Sequence, residues 1–327
     1  MGSNGEPSLS DTDASQTTRV ALLKRMLTPE LDYDRPLICA SRQMTSDIRA
    51  VGRDQPNFKE VTGIIYRAAL LSQRTGSPFG FPPLLLVGVP GIGKTRYARA
   101  IARALQTSFT EIAMNCLDDT GTIIGHSLSW RGAGIGKIAE ALVHGKTASP
   151  LFLLDEIDKV PSHHTGDRPL DVLHSLLEEE NAAIFTDGFL KIPLRADQVL
   201  WIATANDISM IPASILDRTL IIHVPAPSPE ERRAILRRMI TAGIALFPGM
   251  GQEIGDEILD AFAFTSSARA LKRIIRLACG YAIADDRTHL QRDDLTLAAK
   301  HCLKEQSDHK QVFGFLTPLG PSRSHDL

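Results

Sequence analysis

The chain has 327 residues, of which 43% are hydrophobic and 23% charged, so it has enough apolar material for a sizeable core. Its 36 Lys and Arg nearly balance 38 Asp and Glu, which argues against a nucleic-acid coat protein or a polybasic membrane binder. The four cysteines form no CxxC pair, no apolar run suits a membrane span, and the polar N terminus is unlike a signal peptide. We therefore expect two domains and a cytoplasmic location, without membrane partners.

The N-terminal region contains little that could be buried. Residues 1–18 are rich in Ser, Thr and Asp and are predicted to be disordered. Residues 19–30 have the pattern of a short amphipathic helix, and residues 31–57 are interpreted as an irregular connector. Apolar residues at helical spacing predict a helix over residues 58–72.

Short apolar segments then alternate with helical patterns. Strands are predicted at residues 84–88, 109–114, 151–155, 200–205 and 220–224. Helices are predicted at residues 94–105 and 169–179. Apolar strands separated by helices indicate an α/β fold in which a parallel sheet lies between layers of helices.

The strand pattern stops near residue 226. Ser228, Pro229 and Glu231 form a capping box that opens a helix. Further helices are predicted at residues 254–263, 267–284 and 292–304. The predicted regions are an N-terminal extension (1–57), an α/β domain (58–225), an all-helical domain (226–305) and a tail (306–327).

A phosphate-binding loop is predicted where the first strand meets its helix. Residues 88–95, GVPGIGKT, match the pattern GxxxxGK[ST]. The glycines let backbone N–H groups surround phosphate oxygens, and the helix N terminus points to the same place. Lys94 supplies a charge for the β- and γ-phosphates of ATP, and the Thr95 hydroxyl can reach Mg²⁺. The residues predicted to bind nucleotide here are Gly88, Pro90, Gly91, Ile92, Gly93, Lys94, Thr95 and Arg96.

Polar residues also follow two later strands. Asp155 and Glu156 end the segment LFLLDE, so Asp155 is predicted to hold Mg²⁺ and Glu156 to polarise the attacking water. Asn206 follows another apolar strand and would orient that water, since the carboxyl ends of parallel strands share one edge. The alternatives are a simple helix cap for the carboxylates and a turn residue for Asn206.

These motifs together resemble the AAA+ ATPases, and in particular the ATPase module of Lon proteases. The resemblance covers about residues 58–304. The segments that carry it are IGHSLSWRGAGIGK (124–137), PLFLLDEIDK (150–159), WIATAND (201–207) and IPASILDR (211–218). It implies a P-loop NTPase fold followed by a small helical lid domain.

The resemblance also implies roles for three residues. Asn206 is similar to the sensor-1 residue. Arg218 resembles the arginine finger that enters the ATP site of a neighbouring subunit, and Arg269 resembles the sensor-2 arginine that contacts phosphate within its own subunit. The alternatives are a solvated arginine at a helix end for Arg218 and a basic helix face for Arg269.

Trp130, Arg131 and Gly132 lie where Lon-like rings have an aromatic–aliphatic–glycine pore loop that grips polypeptide. The aromatic residue is present, and Arg131 replaces the aliphatic one. The alternative is a tryptophan packed under a loop. A hairpin predicted over residues 185–194 is either a second pore loop or a plain surface hairpin.

The resemblance therefore implies an Mg²⁺- and ATP-dependent ring, a hexamer, that remodels or unfolds a protein partner. Only about 20 residues follow the predicted lid, which leaves no room for the Lon peptidase, so the chain is not expected to be a protease by itself. Two alternatives remain open: a nucleic-acid motor or loader, disfavoured by the near-zero net charge, and a nucleotide-dependent switch or scaffold.

Overall fold

A parallel β-sheet organises the first of two units in the computed structural model of the chain. The structure describes residues 9–27, 35–117, 119–129, 133–160, 169–251, 254–256, 259 and 268–308. The first unit ends at Ser228, and the second begins at Pro229. Within the described residues, no helix is both long and apolar enough to cross a membrane.

The sheet has five strands in the order β2-β3-β6-β1-β7, and all neighbouring pairs are parallel. Its strands are β1 (Leu84–Val87), β2 (Phe109–Ala113), β3 (Leu151–Asp155), β6 (Leu200–Ala205) and β7 (Leu220–His223). All residues of β1 and β6 are buried, which explains their continuous apolar sequences. The expected parallel α/β fold is confirmed.

Helices and a small hairpin complete the first unit. The helices are α1 (Leu9–Leu27), α2 (Arg42–Asp54), α3 (Lys59–Thr75), α4 (Lys94–Ala104), α5 (Gly121–Ile124), α6 (Lys137–His144), α7 (Pro169–Leu176), α8 (Glu179–Ala182) and α9 (Ala213–Leu216). Strands β4 (Phe185–Thr186) and β5 (Pro193–Leu194) pair antiparallel and form the predicted hairpin. Two separate apolar cores pack against the sheet, one including Leu84 and Leu86 and the other Leu85 and Val87. Because neighbouring strand residues face opposite sides, the sheet has one core on each face.

The N-terminal region differs from the sequence-based expectation. Helix α1 begins at Leu9, inside the stretch predicted to be disordered, and Leu22 and Leu23 in its second half pack against a core. Helix α2 (13 residues) occupies about half of the segment 31–57, which was predicted to be an irregular connector. The Ser41 side chain accepts a hydrogen bond from Met44 N, and Ile48 is fully buried, so a cap and a buried face stabilise this helix.

The second unit contains the helices α10 (Pro229–Ile244), α11 (Ala268–Ala284) and α12 (Arg292–Asp308). Its own apolar core includes Ile240, Ile274 and Ala298, all fully buried. The helix predicted at residues 254–263 lies largely outside the described residues. Pro229 begins α10, in agreement with the capping pattern in the sequence.

Candidate active site at the carboxyl edge of the sheet

The loop between β1 and α4 approaches neighbouring backbone closely. A Cβ atom on Gly88 would lie 2.6 Å from the carbonyl oxygen of Val224 and 2.6 Å from Ile92 Cδ1, so only glycine fits there. Gly93, immediately before α4, has a φ of 100°, in the region that favours glycine. The loop therefore leads directly into a helix N terminus, where the helix dipole favours an anion.

The Lys94 side chain connects this loop to the end of strand β6. Its Nζ atom donates hydrogen bonds to the carbonyl oxygens of Gly88 and Val89, at 2.5 and 3.3 Å, and to Asn206 Oδ1 at 3.0 Å. Only 9% of Lys94 is exposed. The amine is thus held between the phosphate-binding loop and the predicted sensor residue.

The charge of Lys94 lies in a strongly acidic setting. Burial lowers the pKa of the Lys94 amine, while the nearby carboxylates of Asp158, Asp155 and Glu156 act to raise it. A partly desolvated ammonium attracts phosphate oxygens more strongly than one in water, because less solvent screens it. The surroundings of Lys94 therefore suit a phosphate-binding cation.

Thr95 and Asp155, the predicted metal-binding pair, are in direct contact. Thr95 Oγ1 donates to Asp155 Oδ1 and Oδ2 at 3.1 and 3.2 Å. Thr204 Oγ1 donates to Asp155 Oδ1 at 2.6 Å and accepts a hydrogen bond from Glu156 N at 2.9 Å. A hydroxyl beside a carboxylate suits Mg²⁺, which proteins commonly bind through one or two carboxylates together with substrate phosphates.

Glu156 is oriented by two residues that the sequence analysis did not identify. Its Oε2 atom accepts a hydrogen bond from Asn115 Nδ2 at 3.0 Å, and its Oε1 atom contacts Lys159 Nζ at 2.5 Å. Glu156 itself has a left-handed backbone, with a φ of 57°. Asn115 follows strand β2, whose carboxyl end lies beside that of β3, and this position is the signal that could have identified it.

Asp158 holds the backbone at the end of strand β6. Its Oδ2 atom accepts hydrogen bonds from Asn206 N and Asp207 N, at 2.9 and 3.1 Å. Its Oδ1 atom is buried and has no hydrogen-bond partner among the described residues. Asp158 was not predicted as a site residue, although it lies two positions after Glu156. It therefore holds the backbone of Asn206, whose side chain accepts the hydrogen bond from Lys94.

A short segment before helix α3 borders the start of α4. Gln55 is buried, and its Oε1 atom lies 3.8 Å from the position of a Cβ on Gly93. Phe58 stacks on Tyr97 of α4, with ring centroids 4.4 Å apart. The buried Asn57 Nδ2 has no hydrogen-bond partner in the described part of the chain. The residues on this side of the site were not predicted, because residues 31–57 were interpreted as an irregular connector.

The remaining predicted site residues either have no hydrogen bond to the phosphate-binding loop or are not among the described residues. Arg218, after helix α9, makes its hydrogen bonds with Ser214 and Glu178 and not with the phosphate-binding loop. Arg269 lies in α11, but its side chain is outside the described residues. The predicted pore-loop residues 130–132 also lie outside them.

The buried residue Asp187 joins the hairpin to the base of the predicted pore loop. Its side chain accepts hydrogen bonds from Gly136 N at 2.9 Å, Phe189 N at 2.9 Å and Leu190 N at 2.8 Å. Gly188 N also donates to Ile124 O at 2.6 Å. The hairpin therefore contacts both chain segments that flank residues 130–132.

Four adjacent strand ends thus meet at one edge of the sheet. Strand β2 leads to Asn115, β3 to Asp155 and Glu156, β6 to Asn206, and β1 to the phosphate-binding loop. Three of these contributions were predicted from the sequence, and the side-chain contacts now place them together. The arrangement can bind a nucleotide phosphate group, hold a divalent cation and present a carboxylate to water.

Comparison with known proteins defines the class. The family model described as "ATPase family associated with various cellular activities (AAA)" matches residues 84–225. The structure is also similar to the Thermotoga maritima RuvB Holliday junction branch migration motor, with a TM-score of 0.50 and 15% identity, covering 75% of this chain and 68% of that one. Residues 84–225 are therefore an AAA ATPase domain.

Relatives in sequence include Lon proteases. The chain is 32% identical over 235 residues to the mitochondrial Lon protease homolog of Aspergillus niger, covering 70% of this chain and 21% of that protein. It is 31% identical over 285 residues to Lon protease 1 of Syntrophotalea carbinolica, covering 83% of this chain and 35% of that protein. The chain thus spans about a fifth to a third of these relatives, and it belongs with the AAA+ ATPases related to the Lon ATPase module.

Proposed function

We propose that this chain is a subunit of a ring, a hexamer, which hydrolyses Mg²⁺-bound ATP to remodel or unfold a protein partner. The observation that carries the ATPase proposal is a pair of hydrogen-bonded groups at adjacent strand ends. Lys94 donates to Asn206, and Thr95 donates to Asp155. Thr204 links Asp155 to the backbone N–H of Glu156. In this proposal residues 58–225 bind the nucleotide and residues 226–305 form the lid.

Each residue of the network has a distinct role. Lys94 offsets the charge of the β- and γ-phosphates, and Thr95 and Asp155 hold the metal. Mg²⁺, when bound, supplies charge neutralisation at the phosphate oxygens. Glu156 polarises the attacking water and accepts its proton, and Asn206 orients that water. Phosphoryl transfer requires positioning and charge neutralisation above all, and this constellation provides both.

Oligomeric assembly is proposed from the position of Arg218. Its hydrogen bonds are with Ser214 and Glu178, so it does not serve the Lys94 site of its own subunit through any contact described here. An arginine finger supplied by a neighbour accounts for such a residue, as the Lon resemblance implies. Arg269 remains the proposed sensor-2 contact within the subunit.

A polypeptide partner is proposed from the relatives. They are named as proteases and therefore act on proteins, and the matched region of this chain includes the segment around Trp130. Trp130, Arg131 and Gly132 are proposed to contact the polypeptide, and Asp187 connects the hairpin to Gly136, which follows them in the chain. A cytoplasmic location is part of the same proposal.

The test compares the effects of protein and DNA on ATP hydrolysis. We expect ATPase activity with Mg²⁺, stimulation by an unfolded protein such as casein, and ring-sized particles by light scattering in the presence of ATP. The nucleic-acid alternative predicts the opposite: stimulation by DNA and a DNA affinity that falls steeply with salt. The likeness to RuvB, at 15% identity, shows a shared fold and does not favour DNA. A pure switch or scaffold would bind ATP without measurable turnover.

A further inference from the structure

The Arg218 side chain is held at two points within its own subunit. One terminal nitrogen donates to the Ser214 carbonyl oxygen at 2.7 Å, and the other forms an ion pair with Glu178 Oε1. About 29% of the Arg218 side chain is exposed. Its Nε atom is buried and has no partner among the described residues. The guanidinium therefore has a defined orientation and is only partly accessible.

The carboxylate that holds Arg218 is itself fixed. Glu178 occupies the N-cap position of α8, and its second oxygen accepts a hydrogen bond from the Asn181 side chain in that helix. Leu177, the preceding residue, is buried in the apolar core that includes Leu85 and Val87. The two oxygens thus have different partners, and the ion pair is oriented by a helix terminus.

The backbone on the arginine side is equally well anchored. Arg218 N donates to the carbonyl oxygen of Ile215 at 3.2 Å, and Ile215 is fully buried in the same core as Leu177. Both ends of the ion pair are therefore built on one apolar cluster. The guanidinium position does not depend on a flexible loop.

A contribution to folding stability does not explain why the Arg218–Glu178 ion pair is present. Partly exposed ion pairs contribute little to folding stability, because solvent screens them and two long side chains lose freedom. Orientation is a better explanation, because a long arginine side chain has many rotamers, and a guanidinium that is already fixed loses less conformational entropy on contacting phosphate. A guanidinium has five N–H donors, and the two described bonds leave others for a ligand.

We infer that Glu178 is a positioning residue that orients Arg218 toward the ATP bound by the neighbouring subunit. The inference rests on the proposed function, in which Arg218 acts between subunits. It assigns Glu178 a role in turnover although Glu178 does not itself contact the nucleotide. The role is specific to one member of the acidic sequence Glu178–Glu180.

The principal experiment replaces Glu178 with Gln in the full chain and measures steady-state ATPase activity. We expect kcat to fall by about 10- to 100-fold, because a small misplacement of a catalytic group has effects of this size. KM for ATP should stay within about two-fold, since the variant's own nucleotide site is intact. Glu180→Gln is the matched control, with the same charge change in the same helix and wild-type kcat expected. Glu178→Asp should recover part of the activity.

A subunit-mixing experiment distinguishes positioning between subunits from a general structural effect. Glu178→Gln subunits have an intact nucleotide site but a misplaced Arg218. Lys94→Ala subunits cannot use their own site but carry a well-oriented Arg218. In mixed rings, a Lys94→Ala subunit supplies a well-oriented Arg218 to the intact nucleotide site of a Glu178→Gln neighbour. The ATPase activity of the mixture should therefore exceed the sum of the activities of the two separate variants. A mixture that gives only that sum overturns the inference.

The remaining outcomes are also decisive. Wild-type kcat in Glu178→Gln overturns the inference, and so does a raised kcat, which would make the ion pair an inhibitory latch. If Glu178→Gln does not fold, as judged by circular dichroism, Asn181→Ala replaces it and should lower kcat in the same direction. Arg218→Ala separates the two proposals: wild-type hydrolysis there removes the arginine finger itself. Loss of hydrolysis in Arg218→Ala together with normal Glu178→Gln removes only the role of Glu178.

Discussion

Lys94 Nζ donates a hydrogen bond to Asn206 Oδ1 at 3.0 Å, although 112 positions separate the two residues in the chain. The contact joins the phosphate-binding loop after β1 to the end of β6, the neighbouring strand in the sheet. A nucleotide phosphate bound at Lys94 would therefore also meet Asn206. The residues proposed for charge recognition and for water orientation are thus in direct contact.

Replacing Lys94 with Ala should weaken ATP binding by at least ten-fold. The substitution removes a partly desolvated ammonium, which contributes more to phosphate binding than an exposed charge does. Titration with a fluorescent ATP analogue measures the change in Kd. Lys146→Ala, at an exposed lysine, is the control and should bind normally. Equal affinity in Lys94→Ala and the wild type would contradict the assigned role.

Glu156→Gln should retain ATP binding and lose turnover. The amide keeps the shape of the side chain but cannot accept a proton from water, and general-base catalysis contributes about 10²- to 10⁴-fold in rate. A coupled phosphate-release assay measures kcat, and the same fluorescent titration measures binding. The variant should also stabilise the assembled ring in ATP, visible as a larger particle by light scattering. Hydrolysis at the wild-type rate would exclude Glu156 as the base.

Trp130→Ala should separate ATP hydrolysis from work on a substrate. The aromatic side chain is proposed to grip polypeptide and lies outside the ATP-binding motifs, so basal ATPase activity should stay within about two-fold. Stimulation of the ATPase by casein should be lost. Ser129→Ala is the control, because it is a mild change next to Trp130 in the chain. Trp201→Phe is unsuitable, because Trp201 is buried in the sheet. If casein stimulated the ATPase activity of Trp130→Ala as fully as that of the wild type, the pore-loop proposal would be wrong.

Asp187→Asn should destabilise the first unit by roughly 2–3 kcal/mol. The uncharged amide accepts more weakly, and its NH₂ group cannot accept at all, so some of the three buried backbone donors lose their partner. Urea unfolding of the full chain, followed by circular dichroism, measures the loss. Asp171→Asn, at an exposed aspartate, should change stability by less than about 0.5 kcal/mol. Matching midpoints for the two variants would contradict the structural role of Asp187.

Asp294→Asn should destabilise the helical unit in a pH-dependent way. Two-pronged hydrogen bonding from Arg287, at 2.7 Å to each oxygen, lowers the pKa of the Asp294 carboxyl from its ordinary value of 3.8. The stabilisation is therefore fully present above about pH 4 and is lost as the pH falls through the lowered pKa. At neutral pH we expect a loss of about 1.5–3 kcal/mol, as for hydrogen bonds to charged groups.

The measurement for Asp294 is urea unfolding of both proteins between pH 7 and pH 3. The stability difference between wild type and Asp294→Asn should shrink toward the acid end. The exposed neighbour Asp293 offers a matched Asp293→Asn control with little effect at any pH. A difference that stays constant with pH would exclude the ion pair as its source.

The sequence predicted the parallel sheet, and which residues lie at its carboxyl edge, because both depend on short-range patterns. Short continuous apolar segments such as residues 151–154 are typical of strands buried on both faces, and a glycine-rich loop before a helix has few structural uses. Lys94, Asp155 and Glu156 could therefore be identified from spacing alone. The position of Asn206 near Lys94 agrees with the rule that the carboxyl ends of parallel strands share an edge.

The sequence did not predict the residues that support this site. Asn115 and Asp158 are ordinary polar residues whose roles arise only from strand order, because β2, β3 and β6 lie side by side in the sheet although long chain segments separate them. Helix α2 was missed since its few buried residues are separated by many polar ones, and the cap at Ser41 was not recognised. Supporting contacts of this kind depend on tertiary packing, which a single sequence does not display.

At residue 156 the left-handed backbone conformation lowers folding stability, whereas the glutamate side chain is proposed to be required for ATP turnover. A non-glycine residue in that conformation costs roughly 1–2 kcal/mol relative to a relaxed backbone. Glycine would adopt it without strain, but it would remove the only carboxylate that Asn115 and Lys159 orient through the described contacts. Selection for thermal stability alone would therefore favour Gly at residue 156, and selection for ATP hydrolysis would oppose it. Among stabilised variants of this chain, substitutions at residue 156 should be recognisable as those that gain stability and lose catalysis together.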